Sequence, residues 1–211
     1  MYFVSQRRLD RMRSVLQKRQ DSLRLFMDYV YSAHNLSAIV RTCDAVNIGK
    51  LYYRHQKSVK LNNEITLGAH KWIFNEYIDD IKAFYKQIKE EGYQIVVSAL
   101  SDDSIDFREV DYTKPTLIVV GNEVDGVSQT SLDAADKKVI IPMYGMSQSL
   151  NASVATAVIL YEAQRQRQMA GMYDKPQLKE EVIEETIKKW AHDDLIEKMK
   201  QIAKARAKAK K

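Results

Sequence analysis

Residues 141–151 read IPMYGMSQSLN, and the way this stretch joins its two neighbours decides the fold. Before it, residues 137–143 (KKVIIPM) form an apolar run of strand length. After it, residues 151–168 have helical spacing, with Val154, Ala157, Val158 and Tyr161 expected to face inward. Proline, glycine and small polar residues lie between, and Ser149 or Asn151 is placed to cap the helix. The same order recurs upstream. Residues 23–31 (LRLFMDYVY) read as a strand, followed by a helix expected to start from an Asn35 cap with Leu36, Ile39, Val40 and Cys43 inward. Gly49 closes that helix, and LYYRH (51–55) reads as the next strand. Residues 77–91 are an amphipathic helix ended by Gly92, before the strand YQIVVSAL at 93–100. TLIVVG (116–121) is continuously apolar, as suits a parallel strand buried on both faces. A GNEVDG turn and a short helix at 127–135 complete the series. Strand alternating with helix implies an α/β fold with a mostly parallel, open sheet.

Outside this core the chain changes character. Its first twenty residues predict a polar helix with Leu9, Met12, Val15 and Leu16 as a thin apolar stripe. After Gly171 and Pro176 the chain is charged and helical, with Val182, Ile183, Ile187, Trp190, Ile196, Met199 and Ile202 available to pack. The expected organisation is a helical extension at 1–21, a domain at 22–170 and a second extension at 171–211. Residues 1–24 hold seven arginines and lysines against two aspartates, and residues 203–211 add five more cations. Because the whole chain is only +5, the body between these ends is acidic by five charges. Two basic ends on an acidic body suit a polyanion, since each neutralised phosphate releases counterions.

Composition excludes several classes. Hydrophobic residues at 45% and charged residues at 29% are ordinary for a globular domain and argue against wholesale disorder. No apolar run approaches the roughly 20 residues of a membrane span, and the first residues lack the long apolar segment of a secretory leader. Cys43 is the single cysteine, so an intrachain disulfide is impossible and a reducing cytoplasm is expected. His34, His55, His70 and His192 are scattered without ligand spacing, so no metal is expected.

In open α/β sheets ligands bind beyond the carboxyl ends of the strands. Three polar or glycine-bearing segments fall at such ends: residues 35–49, 121–128 and 141–157. Each has an ordinary reading by itself. GNEVDG suits a plain turn, Asn35 a cap, and Arg41 a surface pair with Asp44.

In combination and in this order they resemble the SPOUT superfamily of RNA methyltransferases, in its ribose 2′-O-methyltransferase branch. The resemblance rests on Asn35 and Arg41 on one helix, on Gly121, Asn122, Glu123 and Gly126 after a strand, and on Ile141, Pro142 and Met143 followed by Ser149, Leu150, Asn151 and Ser153. It spans about residues 22 to 170. The resemblance implies a deep trefoil knot near residues 117–160, against the general rule that chains avoid knots. It also implies an obligate homodimer and S-adenosylmethionine as methyl donor, bound largely through backbone groups of Leu100, Gly121, Ile141, Met143 and Leu150.

Arg41 is the family's usual candidate for the group that receives the hydroxyl proton. A guanidinium is normally permanently charged, so anchoring the target phosphate is the physical alternative. Asn35 and Ser149 are expected to position Arg41 and the ribose, and Glu123 and Asn151 to stabilise the loop; Glu123 is a plausible base by chemistry alone. The short basic start and charged tail resemble the members that methylate the D-loop guanosine of tRNA conventionally numbered 18. That likeness implies RNA contacts by Arg8, Arg11, Arg19, His34, Arg165 and Arg167. The alternatives are another tRNA position, ribosomal RNA, or an RNA-binding protein that keeps the fold without chemistry.

Overall fold

Leu25 and Met27 of the first strand point to one side of a sheet and Phe26 to the other, and all three are fully buried. The same alternation runs through the two neighbours that complete the sheet's centre. Ile118 and Val120 join Leu25, while Leu117 and Val119 join Phe26, as do Ile95 and Val97. Continuous apolar runs are thus explained by burial on both faces, each such side chain contributing roughly 1.5–3 kcal/mol.

The computed structural model describes residues 4–55, 66, 68–122 and 124–208, apart from the side chains of 197, 198 and 200–208. Its strands are β1 (Gln20–Asp28), β2 (Ile48–Arg54), β3 (Phe74–Tyr77), β4 (Gln94–Ser98), β5 (Ile105–Asp106), β6 (Thr116–Val120) and β7 (Lys137–Ile140). They lie in the order β3-β2-β1-β6-β4-β7-β5, and every pairing is parallel. The helices are α1 (Gln6–Gln17), α2 (Ala33–Val46), α3 (Ile81–Glu90), α4 (Gln129–Ala134), α5 (Ala152–Met169) and α6 (Glu180–Lys208). On one face α2 brings Leu36, Ile39, Val40 and Cys43, and α5 brings Ile159, Leu160 and Ala163. On the other, α3 brings Phe84, Tyr85 and Ile88, with Leu132 of α4 packed beside them.

Two strands were not expected. β3 occupies residues that the helical reading reached into, because Asp80 is the cap: its Oδ1 accepts from the backbone of Lys82 and Ala83, both at 3.0 Å. β5 is only two residues long and leaves no periodic signal. The inward face of α5 also differs. Thr156, Ile159, Leu160, Ala163 and Arg167 are buried, whereas Val154 and Tyr161 are 48% and 53% exposed. Apolar residues on both sides of this helix make its buried face illegible from spacing. Ser32, not Asn35, caps α2, its hydroxyl accepting from the Asn35 backbone.

The amino ends of the strands are closed by Arg167. Its Nε donates to the Tyr112 carbonyl at 2.8 Å, one Nη to the Ser22 hydroxyl at 2.9 Å, and the other to the carbonyls of Ser22 and Lys114 at 3.0 Å each. The side chain is fully buried, and burial pulls its pKa down to about 10, so it stays charged at neutral pH. The expectation that Arg167 contacts RNA is therefore corrected: carbonyls occupy its donors and solvent does not reach it. At the same edge the Gln20 amide donates to the Met172 carbonyl at 3.0 Å, and the Tyr173 hydroxyl to the Val46 carbonyl at 2.8 Å.

Residues 20–173 form one compact unit, and residues 1–19 with 174–211 form the other. The two extensions, expected as separate appendages, thus associate with each other. Arg13 of α1 bonds Glu180 at 2.6 Å and also pairs with Glu184, and Arg8 reaches Asp194 at 3.4 Å. Met12 and Leu16 are buried, as are Ile183, Ile187 and Trp190, while Val182, Ile196 and Met199 of the expected packing set stay partly exposed. Arg19 is a second correction among the RNA candidates. It is fully buried with its guanidinium 5.9 Å from the Trp190 ring centroid, which leaves it no face for a phosphate. Ile202 lies outside the described side chains.

Candidate active site

The carboxyl ends of β6, β4 and β7, three adjacent strands, open into a cavity of about 570 Å³. Each strand contributes one wall through the segment that follows it. After β6 the chain passes through Gly121, where a Cβ would lie 2.0 Å from the Gly126 carbonyl oxygen; only a hydrogen fits there. The turn closes on itself, Asn122 N–H donating to Gly126 O at 3.0 Å and Gly126 N–H back to Asn122 O at 3.2 Å. Gly126 has φ 69°, the left-handed region that glycine enters without strain. The Asn122 side chain fixes the turn from inside, its Oδ1 accepting from Val124 at 2.8 Å and Asp125 at 2.7 Å.

After β4 come Ala99, Leu100 and Ser101, held by the Ser104 hydroxyl donating to the Ala99 carbonyl at 2.9 Å. Leu100 is 73% exposed, an apolar side chain standing at the rim. After β7 the third wall carries Ile141 and Met143 and then residues 148–151. Asn151 caps α5, its Oδ1 accepting from the Ser153 backbone at 2.9 Å and the Ser153 hydroxyl at 2.6 Å. Its amide nitrogen donates to Asn35 Oδ1 at 3.1 Å. Asn35 is itself buried, so this bond ties the first turn of α2 to the cavity wall.

Leu100, Gly121, Ile141, Met143, Leu150, Ser149 and Asn151 all line the cavity. Arg41 does not. It is exposed on α2, six residues after Asn35, and makes no ion pair among the described residues, with Asp44 or otherwise. Glu123 lies outside the described residues. Of the RNA candidates, Arg8, Arg11, His34 and Arg165 are exposed, and Arg165 is held by Glu162 through two bonds of 2.8 Å. Cys43 is fully buried, and burial pushes its thiol up, away from nucleophilic use.

Asp28 is a site residue that sequence reasoning missed. It ends β1 and is fully buried, and its Oδ2 accepts from the Ser128 backbone at 2.7 Å and the Ser131 hydroxyl at 2.6 Å. Ser131 in turn accepts from the Tyr85 hydroxyl at 2.6 Å, and burial raises that phenol's pKa. A carboxylate therefore pins the far end of the 121–128 turn to the end of β1. Its only trace in the sequence is a charge ending an apolar strand.

This arrangement, three walls made of chain turns beyond parallel strands, has known counterparts. A family model described as the SpoU rRNA Methylase family matches residues 22–161, and the model of its C-terminal region matches residues 165–205. The chain belongs to the SpoU methylase family. Among relatives within it, the tRNA (guanosine(18)-2′-O)-methyltransferase of Aquifex aeolicus is 55% identical over 201 residues, covering 94% of this chain and 95% of that protein. The enzyme of the same name from Thermus thermophilus is 45% identical over 181 residues, covering 85% and 93%. Among solved SpoU structures, the A. aeolicus TrmH/SpoU tRNA modifying enzyme matches with a TM-score of 0.84 and 56% identity, covering 89% of this chain and 96% of that one. The SpoU methyltransferase AviRb of Streptomyces viridochromogenes, in complex with the cofactor AdoMet, matches at 0.65 and 28%, covering 76% and 65%. The tail match is informative, since the charged C-terminal segment belongs to the SpoU pattern and is not an incidental addition.

Proposed function

We propose that this chain transfers a methyl group from S-adenosylmethionine to a ribose 2′-hydroxyl of tRNA, at the D-loop guanosine that its relatives' names number 18. The observation that carries this reading is the cavity beyond β6, β4 and β7, where five candidate donor-binding residues and the Asn35–Asn151 bond meet. The cavity fits the donor in kind. Its walls offer backbone N–H and C=O groups of chain turns, with Leu100, Ile141, Met143 and Leu150 to cover an adenine. When bound, S-adenosylmethionine supplies an electrophilic sulfonium methyl group.

The rest falls to the protein's own residues. A ribose hydroxyl is a poor nucleophile and must lose its proton as it attacks. Arg41, exposed and unpaired among the described residues, is free to grip the adjoining phosphate and orient that hydroxyl. Asn35 and Asn151 hold the helix bearing Arg41 against the cavity wall, and Ser149 lines that wall, which supports its role in positioning the ribose. Glu123 is the second candidate for the proton. Arg41→Ala is expected to lower single-turnover transfer by about 1000-fold while the Kd for S-adenosylmethionine stays within a factor of about three. Turnover near the parent value sinks the assignment of Arg41.

The family description names ribosomal RNA, whereas the relatives matched along nearly the whole chain are named for tRNA. The length match favours tRNA, because it covers 94% of this chain and 95% of the A. aeolicus enzyme. On this reading Arg8, Arg11, His34 and Arg165 contact the tRNA backbone, which positions the RNA without choosing the base. Mapping methylated nucleotides after incubation with unmodified tRNA and ribosomal RNA transcripts decides it; label confined to ribosomal RNA overturns the tRNA assignment. A homodimer is part of the same reading, supported by exposed apolar side chains at Tyr144 (94%), Met146 (100%), Val154 and Tyr161. So is a deep trefoil knot near residues 117–160, supported by the fold match to the A. aeolicus enzyme. A cytoplasmic location is part of the same reading, supported by the tRNA-modifying relatives and the single cysteine.

A further inference from the structure

The carboxyl ends of β1, β2 and β3 carry an aromatic and cationic group that the cavity does not use. Tyr29, the residue after β1, has φ 60°. Asn47, the other non-glycine residue with positive φ among the described residues, caps α2, where asparagine is tolerated. Tyr29 caps nothing, and a bulky residue in this region carries strain that a surrounding structure must hold in place. Here the holders are visible. The Arg54 guanidinium lies 5.3 Å from the Tyr29 ring centroid, and the Tyr31 ring is 6.3 Å away. Tyr31 stands edge-on to His55 at 5.6 Å and 90°. His55 is fixed from below, its carbonyl accepting from the Tyr77 hydroxyl at 3.3 Å, and Tyr77 packs edge-on to Tyr53 at 5.6 Å. The outermost ring, Tyr31, is 37% exposed.

Strand-end aromatics that only complete a core would be covered. This set instead presents a braced tyrosine to solvent, with a guanidinium one ring behind it. Braced, partly open rings beside a cation are what unpaired nucleobases stack on, since every base has a π-face. We propose that Tyr31, supported by Tyr29, Arg54 and His55, is a stacking site for an unpaired base of the RNA next to the methylated nucleotide. Its position suits that role: Tyr31 lies four residues before Asn35, whose side chain bonds Asn151 on the cavity wall. This inference rests on the proposed RNA substrate and adds how that substrate is held.

The test uses the full chain with unmodified tRNA transcript, some of it carrying 2-aminopurine in the D-loop. Tyr31→Ala is expected to weaken tRNA binding and raise KM about 10-fold, within the range of one lost base stack. The Kd for S-adenosylmethionine should stay unchanged, and Tyr31→Trp should restore tRNA binding. Stacking releases no counterions, so the dependence of binding on salt should keep its slope. Parent protein should quench the 2-aminopurine fluorescence and the alanine variant should not. Affinity within twofold of the parent, an altered salt slope, or a changed oligomeric state in sedimentation would each overturn the stacking site while leaving methyl transfer standing. Parent protein that binds the donor but neither binds nor methylates any RNA would bring down the proposed function and this site with it.

Discussion

The two edges of the sheet are finished in opposite ways. At the amino edge Arg167 spends its donors on the carbonyls and hydroxyl of residues 22, 112 and 114, and the Gln94 amide bonds the Asp111 carbonyl at 2.7 Å and the Thr116 hydroxyl at 2.8 Å. At the carboxyl edge the chain turns outward, leaving a cavity, exposed leucines and a strained tyrosine. Buried polar groups with every partner supplied stabilise a structure, whereas groups left open are available to a ligand. The contrast teaches that an arginine's partners are set by its surroundings, not by its charge. Arg167, buried among carbonyls, and Arg41, exposed on α2 with no ion pair among the described residues, are the same residue type in opposite settings.

The contrast can be broken most sharply at Gly121. Gly121→Ala puts a methyl group into the Gly126 backbone, and neither segment can yield without opening the turn between them. Calorimetry should show S-adenosylmethionine binding weakened by about 100-fold, equivalent to about 2.7 kcal/mol. A donor affinity near the parent value would mean that the turn is not a cavity wall. At the other edge, Arg167→Met is expected to cost about 3 kcal/mol in denaturant unfolding, because it strands buried carbonyls. The tRNA affinity of the folded variant should remain within about twofold. Lost affinity with stability intact would restore Arg167 to the RNA surface. The mildest test is Asn35→Ala, which removes the acceptor for Asn151 while leaving the Ser32 cap in place. We expect kcat to fall about 10-fold with donor Kd barely moved; a change confined to donor Kd would move this bond's role from the ribose to the cofactor.

Much of the carboxyl edge was legible because its segments carry glycines, asparagines and prolines at turns that tolerate little else. The strands β1, β2, β4, β6 and β7 were legible for a different reason, their apolar runs being too short for helices and too continuous for one-sided burial. β3 and β5 were not, since partly exposed pairs and quartets of residues leave no period to read. The face of α5 was misjudged because Val154 and Tyr161 are as apolar as the residues opposite them. Arg19 and Arg167 misled for a deeper reason. Whether a guanidinium meets phosphate, an aromatic ring or carbonyls depends on distant parts of the chain, here Trp190 for one and residues 112 and 114 for the other. Asp28 stayed hidden for the same cause, its partners lying a hundred residues away.

The hydrogen bond from Gln20 to the Met172 carbonyl has a consequence for how such a protein is remodelled. It joins the first residue of the sheet unit to the residue next to its last, so the chain enters and leaves that unit at a single doorway. Residues 1–19 and 174–211 continue the chain from the two ends of that unit. A lineage could exchange both appendages together, or splice the unit into another polypeptide, without parting any two strands.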